Sequence, residues 1–262
     1  MLLRFASFNH PDLVHAVTTR HGGVSKAPHD ALNMSFSRPD DPSAVRENRR
    51  RVYAALEIRP ERVVQAGQIH GDDVLVVTEA HAGRGALDRP SVLPPADALI
   101  TNRSDLYLLA CFADCTPLLF FDPVQRAVSV AHAGWQGTAK QIGAATVRAM
   151  NAAFGSQPAD LQVAIGPSVG PCCYNVWPHV AEQVRASLPM QPQVLAERDG
   201  QTFFDLWQSN AETLLACGVR RERIEVSRIC TVDHADRFFS HRAGNGVTGR
   251  FAAIIGLRGE EH

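Results

Sequence analysis

Three apolar runs, LYLLACFA, PLLFFDP and RAVSVAH, succeed one another between residues 106 and 132. They are apolar along their length rather than alternating, which predicts strands covered on both faces. The period then changes. Ile142, Ala145, Ala149, Met150 and Ala153 form a stripe, and a helix is expected from about Thr138 to Phe154. Upstream, HAVTTRHGGVSKAPHDALNMSF predicts a short strand, a polar Gly-Gly loop and a second short strand. DDPSAVRENRRRVYAALEI predicts a helix with Asp41 as N-cap, Pro42 in its first turn, and Val45, Val52, Tyr53 and Leu56 on one face. RVVQAGQIHGDDVLVVTEA reads as two strands around His70-Gly71-Asp72-Asp73, and GALDRPSVLPPADALIT as a Pro-rich loop entering another strand. Downstream, DLQVAIGP, RIEVSRIC and GRFAAIIGL predict strands, while WPHVAEQVRASL and DLWQSNAETLLACG predict helices, the second stopped by Gly218.

Strands and helices interleave without strict β–α–β alternation, and hairpins lie between them. The expected class is therefore α+β (mixed α/β) with mixed sheets, not a doubly wound nucleotide fold. With neither repeats nor low-complexity tracts, residues 1–262 are read as one domain.

Composition narrows the function classes. The 262 residues are 45% hydrophobic and 20% charged, which suits a globular chain. Lys and Arg total 26 against 27 Asp and Glu, without a basic block, so nucleic acid is not an expected partner. The first residues, MLLRFASFNHPDLV, lack the pattern of an export signal, and no apolar run is long enough to span a membrane. Six cysteines, at 111, 115, 172, 173, 217 and 230, make no regular disulfide framework, so a cytoplasmic protein is expected. No obligatory protein partner is evident.

The chemistry begins with a predicted hairpin. If PLLFF pairs with AVSVAH through DPVQR, Phe121 faces Ala127 and Thr116 faces His132, which puts Cys115 beside His132. Cross-strand and diagonal neighbours lie roughly 4.5 to 8 Å apart at Cβ, within reach of one metal ion or a thiol–imidazole contact. Two readings stay open: a thiolate nucleophile with an imidazole base, or a zinc site that needs a third ligand. The best third ligand is His70, at a strand end in QIHGDD, with Asp72 and Asp73 placed to orient it. Arg20 and Arg242, in TTRHGG and FFSHR, and the helix start near Gly137 in GWQGTAK are candidates for holding an anion. IGPSVGPCCYNV reads as a rigid turn lining a pocket, whose adjacent cysteines are not expected to share one metal.

The ordered motifs TTRHGGVS, LNMSF, ENRRR, QIHGDDV, ADALIT, ADCTPLLFFDP, AHAGWQGT, IGPSVGPCCYNV and CT…FFSHR…TGR, between about residues 15 and 257, resemble the YfiH/YlmD family. That family is known as polyphenol oxidoreductase (laccase), purine nucleoside phosphorylase and peptidoglycan editing factor. The resemblance implies α/β/β/α layers and a metal site of His70, Cys115 and His132 holding zinc, with copper possible. It also implies substrate contacts in motifs that hold Arg20, Asn33 of LNMSF, Gly137 and Arg242. The implied ligands are a small-molecule nucleoside and phosphate, with phosphorolysis of adenosine, inosine and methylthioadenosine and deamination of adenosine. Editing of cell-wall precursors by a thiol or metal amidohydrolase, or laccase-like copper oxidation, are the alternatives it carries. Multicopper oxidases use H-x-H pairs, and this sequence has none. It also reads CCYNV where relatives often read CCYEV, so Asn175 replaces an acid.

Overall fold

A computed structural model describes residues 1–259. Its core is a pair of six-stranded sheets. The first runs in the order Leu2–Leu3, Leu13–Thr18, Phe251–Leu257, Tyr107–Phe112, Val63–Gly67, Leu93–Pro95, with its first four strands antiparallel and the last two joining in parallel. The second runs Ile224–Val226, Gln162–Ile165, Thr116–Asp122, Ala127–Ala133, Ala98–Thr101, Val74–Val76, antiparallel in the middle and parallel at both edges.

The continuous apolar runs are explained by what lies on each face. Leu108, Ala110, Phe112, Phe251 and Ala253 of the first sheet pack against Leu119, Phe121, Val128 and Val130 of the second. The opposite face of the first sheet meets Val52, Tyr53 and Leu56 of the helix Pro42–Leu56. That of the second meets Ile142, Val147 and Met150 of the helix Ile142–Phe154, with Leu214 of the helix Leu206–Ala216. Helix, sheet, sheet and helix thus stack as the expected mixed α+β arrangement. A small three-stranded sheet, Asn175–Val176, Gln201–Phe204 and Leu195–Arg198, packs with the helix Pro178–Ser187 at one side. Among the described residues no helix is long and apolar enough to cross a membrane.

Local signals hold where the bonds are local. The Pro42–Leu56 helix is capped by the Asp41 side chain, which accepts from the Ser43 N–H, and Pro42 stands in its first turn. Three expectations need correction. LNMSF is not a strand: Asn48 donates to the Ala31 and Asn33 carbonyls and Arg49 to that of Met34, so helix side chains satisfy this segment instead of a ladder. The helix expected from Thr138 to Phe154 is two, Trp135–Ala139 and Ile142–Phe154, broken where Gln141 takes a left-handed conformation with φ 60°. The hairpin register is shifted by one residue, with Phe121 opposite Val128 and Pro117 opposite His132. The cause is Asp122, whose Oδ1 accepts from the Val124 and Gln125 N–H groups. That shortens the turn to four residues and keeps Asp122 in the strand opposite Ala127.

Candidate metal centre and cleft

His70, Cys115 and His132 converge despite the register shift. One ligand atom from each lies within 4.8 Å of the others, compatible with a single shared ion. Each comes from a different strand end. Cys115 immediately precedes the strand Thr116–Asp122, and His132 is near the end of its partner strand. His70 lies on the crossover that leaves the first sheet after Gly67 and enters the second at Val74. Its backbone turns through a positive φ of 62°, which aims the imidazole back over the hairpin.

One carboxylate that sequence reasoning passed over fixes this arrangement. Asp97, 2% exposed, accepts from the backbone N–H groups of Ile69, His70 and Gly71 at 3.1, 3.0 and 2.7 Å. It also meets His132 Nδ1 at 2.8 Å, which leaves Nε2 as the nitrogen free to bind a metal. Burial would raise its pKa, but the bond to His132, the bond from Gly71, the imidazole charge and the bond from Ile69 together hold the carboxyl below the usual range. The residues expected in this role, Asp72 and Asp73, do not take it. Asp72 is 4.0 Å from Lys140 and Asp73 contributes a backbone carbonyl to Asp97 and Ala98. The signal was in ADALIT, but the 27 or so residues separating Asp97 from its loop hid it, because only the sheet pairing brings them together.

The donor set suits a metal. Burial opposes ionisation of Cys115, yet the charge of His132 and hydrogen bonds with His132 and His70 outweigh it and bring the thiol down to about 6. Burial likewise disfavours the His132 imidazolium, while the thiolate and Asp97 raise it to about 9. Two imidazoles and a readily formed thiolate are borderline-soft donors of the kind zinc and copper take. A cradle is also built for them: a Cβ on Gly134 would stand 2.9 Å from Cys115 Sγ and 3.0 Å from His70 Cδ2.

All three groups line a cleft of about 650 Å³. Arg38, Arg89, His241 and Arg250 line it too, with Ser35 and Ser37. None of the three arginines stood out in the sequence, because they come from distant segments that only the fold gathers, and burial with the arginine charges lowers the His241 pKa, so it adds no charge near neutral pH. Burial and the nearby Arg38 charge push Arg250 below the usual arginine range, so an anion here would relieve repulsion.

The anion candidates from sequence are placed differently. Arg20 is spent on carbonyls, donating to Asp30 at 3.0 and 2.8 Å and to Ala235 at 2.7 Å, and stacks on Phe239. It does not line the cleft. Asn33 is fully buried, donating to Asp40 and Ser35 and accepting from the N–H groups of Ser35 and Arg250. It therefore positions two cleft residues instead of facing the cleft. Gly137 lies inside the short Trp135–Ala139 helix, capped by Gly134, where an added Cβ would meet the Gly71 and His132 carbonyls at 3.1 and 3.3 Å. It allows close packing and is not a helix start. Arg242 binds Asn175, through Oδ1 and, at 3.0 Å, the carbonyl, and its backbone N–H donates to Asp114 at 2.6 Å. Asn175 thus supplies a neutral acceptor where an acid would make an ion pair.

The cysteines expected not to share a ligand do converge. Cys172 and Cys173 both donate to Asp233, each at 3.1 Å, and Cys230 completes the group.

Comparison with known proteins places these features in a family. The sequence model described as "Multi-copper polyphenol oxidoreductase laccase" matches residues 14–258. The chain is 42% identical to the purine nucleoside phosphorylase YlmD of Geobacillus stearothermophilus, over 94% of this chain and 91% of that protein. It is 37% identical to the purine nucleoside phosphorylase YlmD of Bacillus subtilis, over 95% and 90%. The crystal structure of YlmD from Geobacillus stearothermophilus superposes with a TM-score of 0.94 at 41% identity, covering 98% of this chain and 96% of that one.

Proposed function

The chain belongs to the polyphenol oxidoreductase laccase (YfiH/YlmD) family, and on that premise we propose that it is a purine nucleoside phosphorylase with a zinc centre, acting on adenosine, inosine and methylthioadenosine and deaminating adenosine. The observation that carries this reading is the shared cleft: the His70–Cys115–His132 group and three arginines line one space. Phosphorolysis forms a bond from a phosphate oxygen to C1′ of the ribose while the bond from C1′ to the purine nitrogen breaks, and the electron pair leaves with the base. Arg38, Arg89 and Arg250 would hold the phosphate dianion there through the guanidinium N–H groups that backbone carbonyls do not already take. Asp97 keeps His132 in one tautomer and rotamer throughout. Zinc held by His70, Cys115 and His132 would supply Lewis acidity beside the substrate in this cleft.

The test incubates the protein with adenosine, with and without phosphate, and separates adenine from inosine by chromatography. Phosphate-dependent adenine and phosphate-independent inosine, both lost in His132→Ala, are expected. Phosphate-dependent adenine that survives His132→Ala would remove the metal centre from the mechanism. Absence of both products would remove the nucleoside reading.

A second reading has one observation in its favour. Cys115, His132 and Asp97 also form a nucleophile, base and orienting carboxylate, as a thiol hydrolase acting on a cell-wall precursor would require. Metal-free protein that turns over an amide substrate and is silenced by alkylation of Cys115 would establish it over the zinc reading.

A further inference from the structure

We propose that Cys172, Cys173, Cys230 and Asp233 form a second metal site, separate from the cleft and selective for a thiophilic cation such as Zn²⁺. Ligand atoms of all four residues lie within 4.8 Å of one another. Tetrahedral zinc with bonds of about 2.3 Å to sulfur sets its sulfurs about 3.8 Å apart, so a small closure of the group completes the shell. Both Sγ atoms of the Cys172–Cys173 pair already turn to the two oxygens of one carboxylate. The Gly170 N–H donates to Cys230 Sγ at 3.3 Å, the kind of bond that supports a ligating sulfur from behind.

The backbone is also shaped around these sulfurs. A Cβ on Gly170 would lie 3.1 Å from Cys172 Sγ and 3.1 Å from Cys230 Cβ, so a side chain there would spread the group. Cys230 is buried and Cys172 exposed, which gives the cluster an anchored inner side and an open outer one. Three thiolates and a carboxylate leave no position for substrate, which is the pattern of a structural site rather than a reactive one. Binding replaces up to three thiol protons with one ion.

Such an ion would clamp two loops that reach the cleft region. Thr231, next to Cys230, donates to Asp114 at 2.6 Å, and Asp114 neighbours Cys115 in sequence. On the other loop, Tyr174 and Asn175 follow the cysteine pair and contact Arg242. The inference does not depend on the nucleoside reading, since its readout is metal content and not turnover.

The experiment strips the protein with a chelator under reducing, anaerobic conditions and titrates it with Co²⁺, then Zn²⁺. Wild type should bind two equivalents, with a strong thiolate-to-cobalt absorption. His132→Ala should keep one equivalent and most of that absorption. Cys172→Ser and Asp233→Asn, both on the exposed side, should keep one equivalent and lose most of it, and Cys230→Ser serves as a third variant if it folds. A single equivalent in wild type that His132→Ala abolishes would overturn the proposal. So would two equivalents that none of the cluster variants reduces, or a disulfide within the cluster found by mass spectrometry in the protein as purified under those conditions.

Discussion

Asp97 accepts from three consecutive backbone N–H groups and holds His132 as well. It sets both the path of the His70 loop and the orientation of the second imidazole. Asp97→Asn retains the size of the side chain but loses the charge and one acceptor. Zinc affinity at the cleft should fall by about 10- to 100-fold, read by competition with a chromophoric chelator; an unchanged affinity would mean that the ligands are held by packing alone. Gly134→Ala should act more directly, since its methyl would occupy the space between Cys115 Sγ and His70. Metal content of the cleft should drop while the melting temperature of the metal-free protein moves by no more than a few degrees. The three candidate ligands were readable because each sits in a short motif at or near a strand end. Asp97, Arg38, Arg89 and Arg250 were not, for their roles come from partners far away in the chain. Arg20 and Asn33 were misjudged for the converse reason: a polar residue in a loop motif looks free until the carbonyls it satisfies are known.

At the scale of elements, the helix Pro42–Leu56 was legible from its cap, its Pro and its apolar stripe, which are all local. The segment from Ala31 to Ser35 was not, because that helix's side chains hold its carbonyls while the Arg20 and Arg250 carbonyls take most of its N–H groups. Arg49, fully buried, donates to the carbonyls of Met34, Gly85 and Ala86 and to Gln65 Oε1. Arg49→Leu keeps a large apolar stem but strands several acceptors. It should destabilise the fold by about 3 kcal/mol or more, measured by urea denaturation; a loss below ~1 kcal/mol would show that water replaces the guanidinium. The hairpin makes the same point about register. Its strands were visible in the sequence, but the Asp122 side chain that shortens the turn competes with pairing in a way the apolar pattern does not encode.

For the whole molecule, the interleaved order of elements pointed to mixed sheets, and the double-sided apolar runs to a chain covered on both faces. Beyond the one hairpin, which strands neighbour one another was out of reach, since Phe251–Leu257 pairs with Leu13–Thr18 across most of the sequence. Global stability should carry an acid limb from His15 on that strand. Its Nε2 accepts from the Phe5 N–H at 2.9 Å and its ring lies against Phe5 and Phe8. Burial, then the Arg4 charge, lowers it from 6.5 to about 4. Above pH 6.5 both folded and unfolded chains hold His15 neutral, so it adds no slope. Between 6.5 and 4 the unfolded chain takes a proton that the folded one refuses, and stability falls as pH falls, by about 3 kcal/mol in total. His15→Gln, which can still accept from Phe5, should flatten that limb in urea melts at pH 7 and 4.5. An equally steep loss in the variant would assign the acid limb to other groups.

The crossover that carries His70 from one sheet to the other has a thermodynamic corollary. Cys115 and His132 come together as soon as their hairpin closes, but the third ligand arrives only when the two layers have docked. An ion bound by all three is therefore a rivet through the sandwich. By mass action it should slow separation of the layers, so that amide exchange in both sheets, not only beside the cleft, becomes more protected as zinc concentration rises above its dissociation constant.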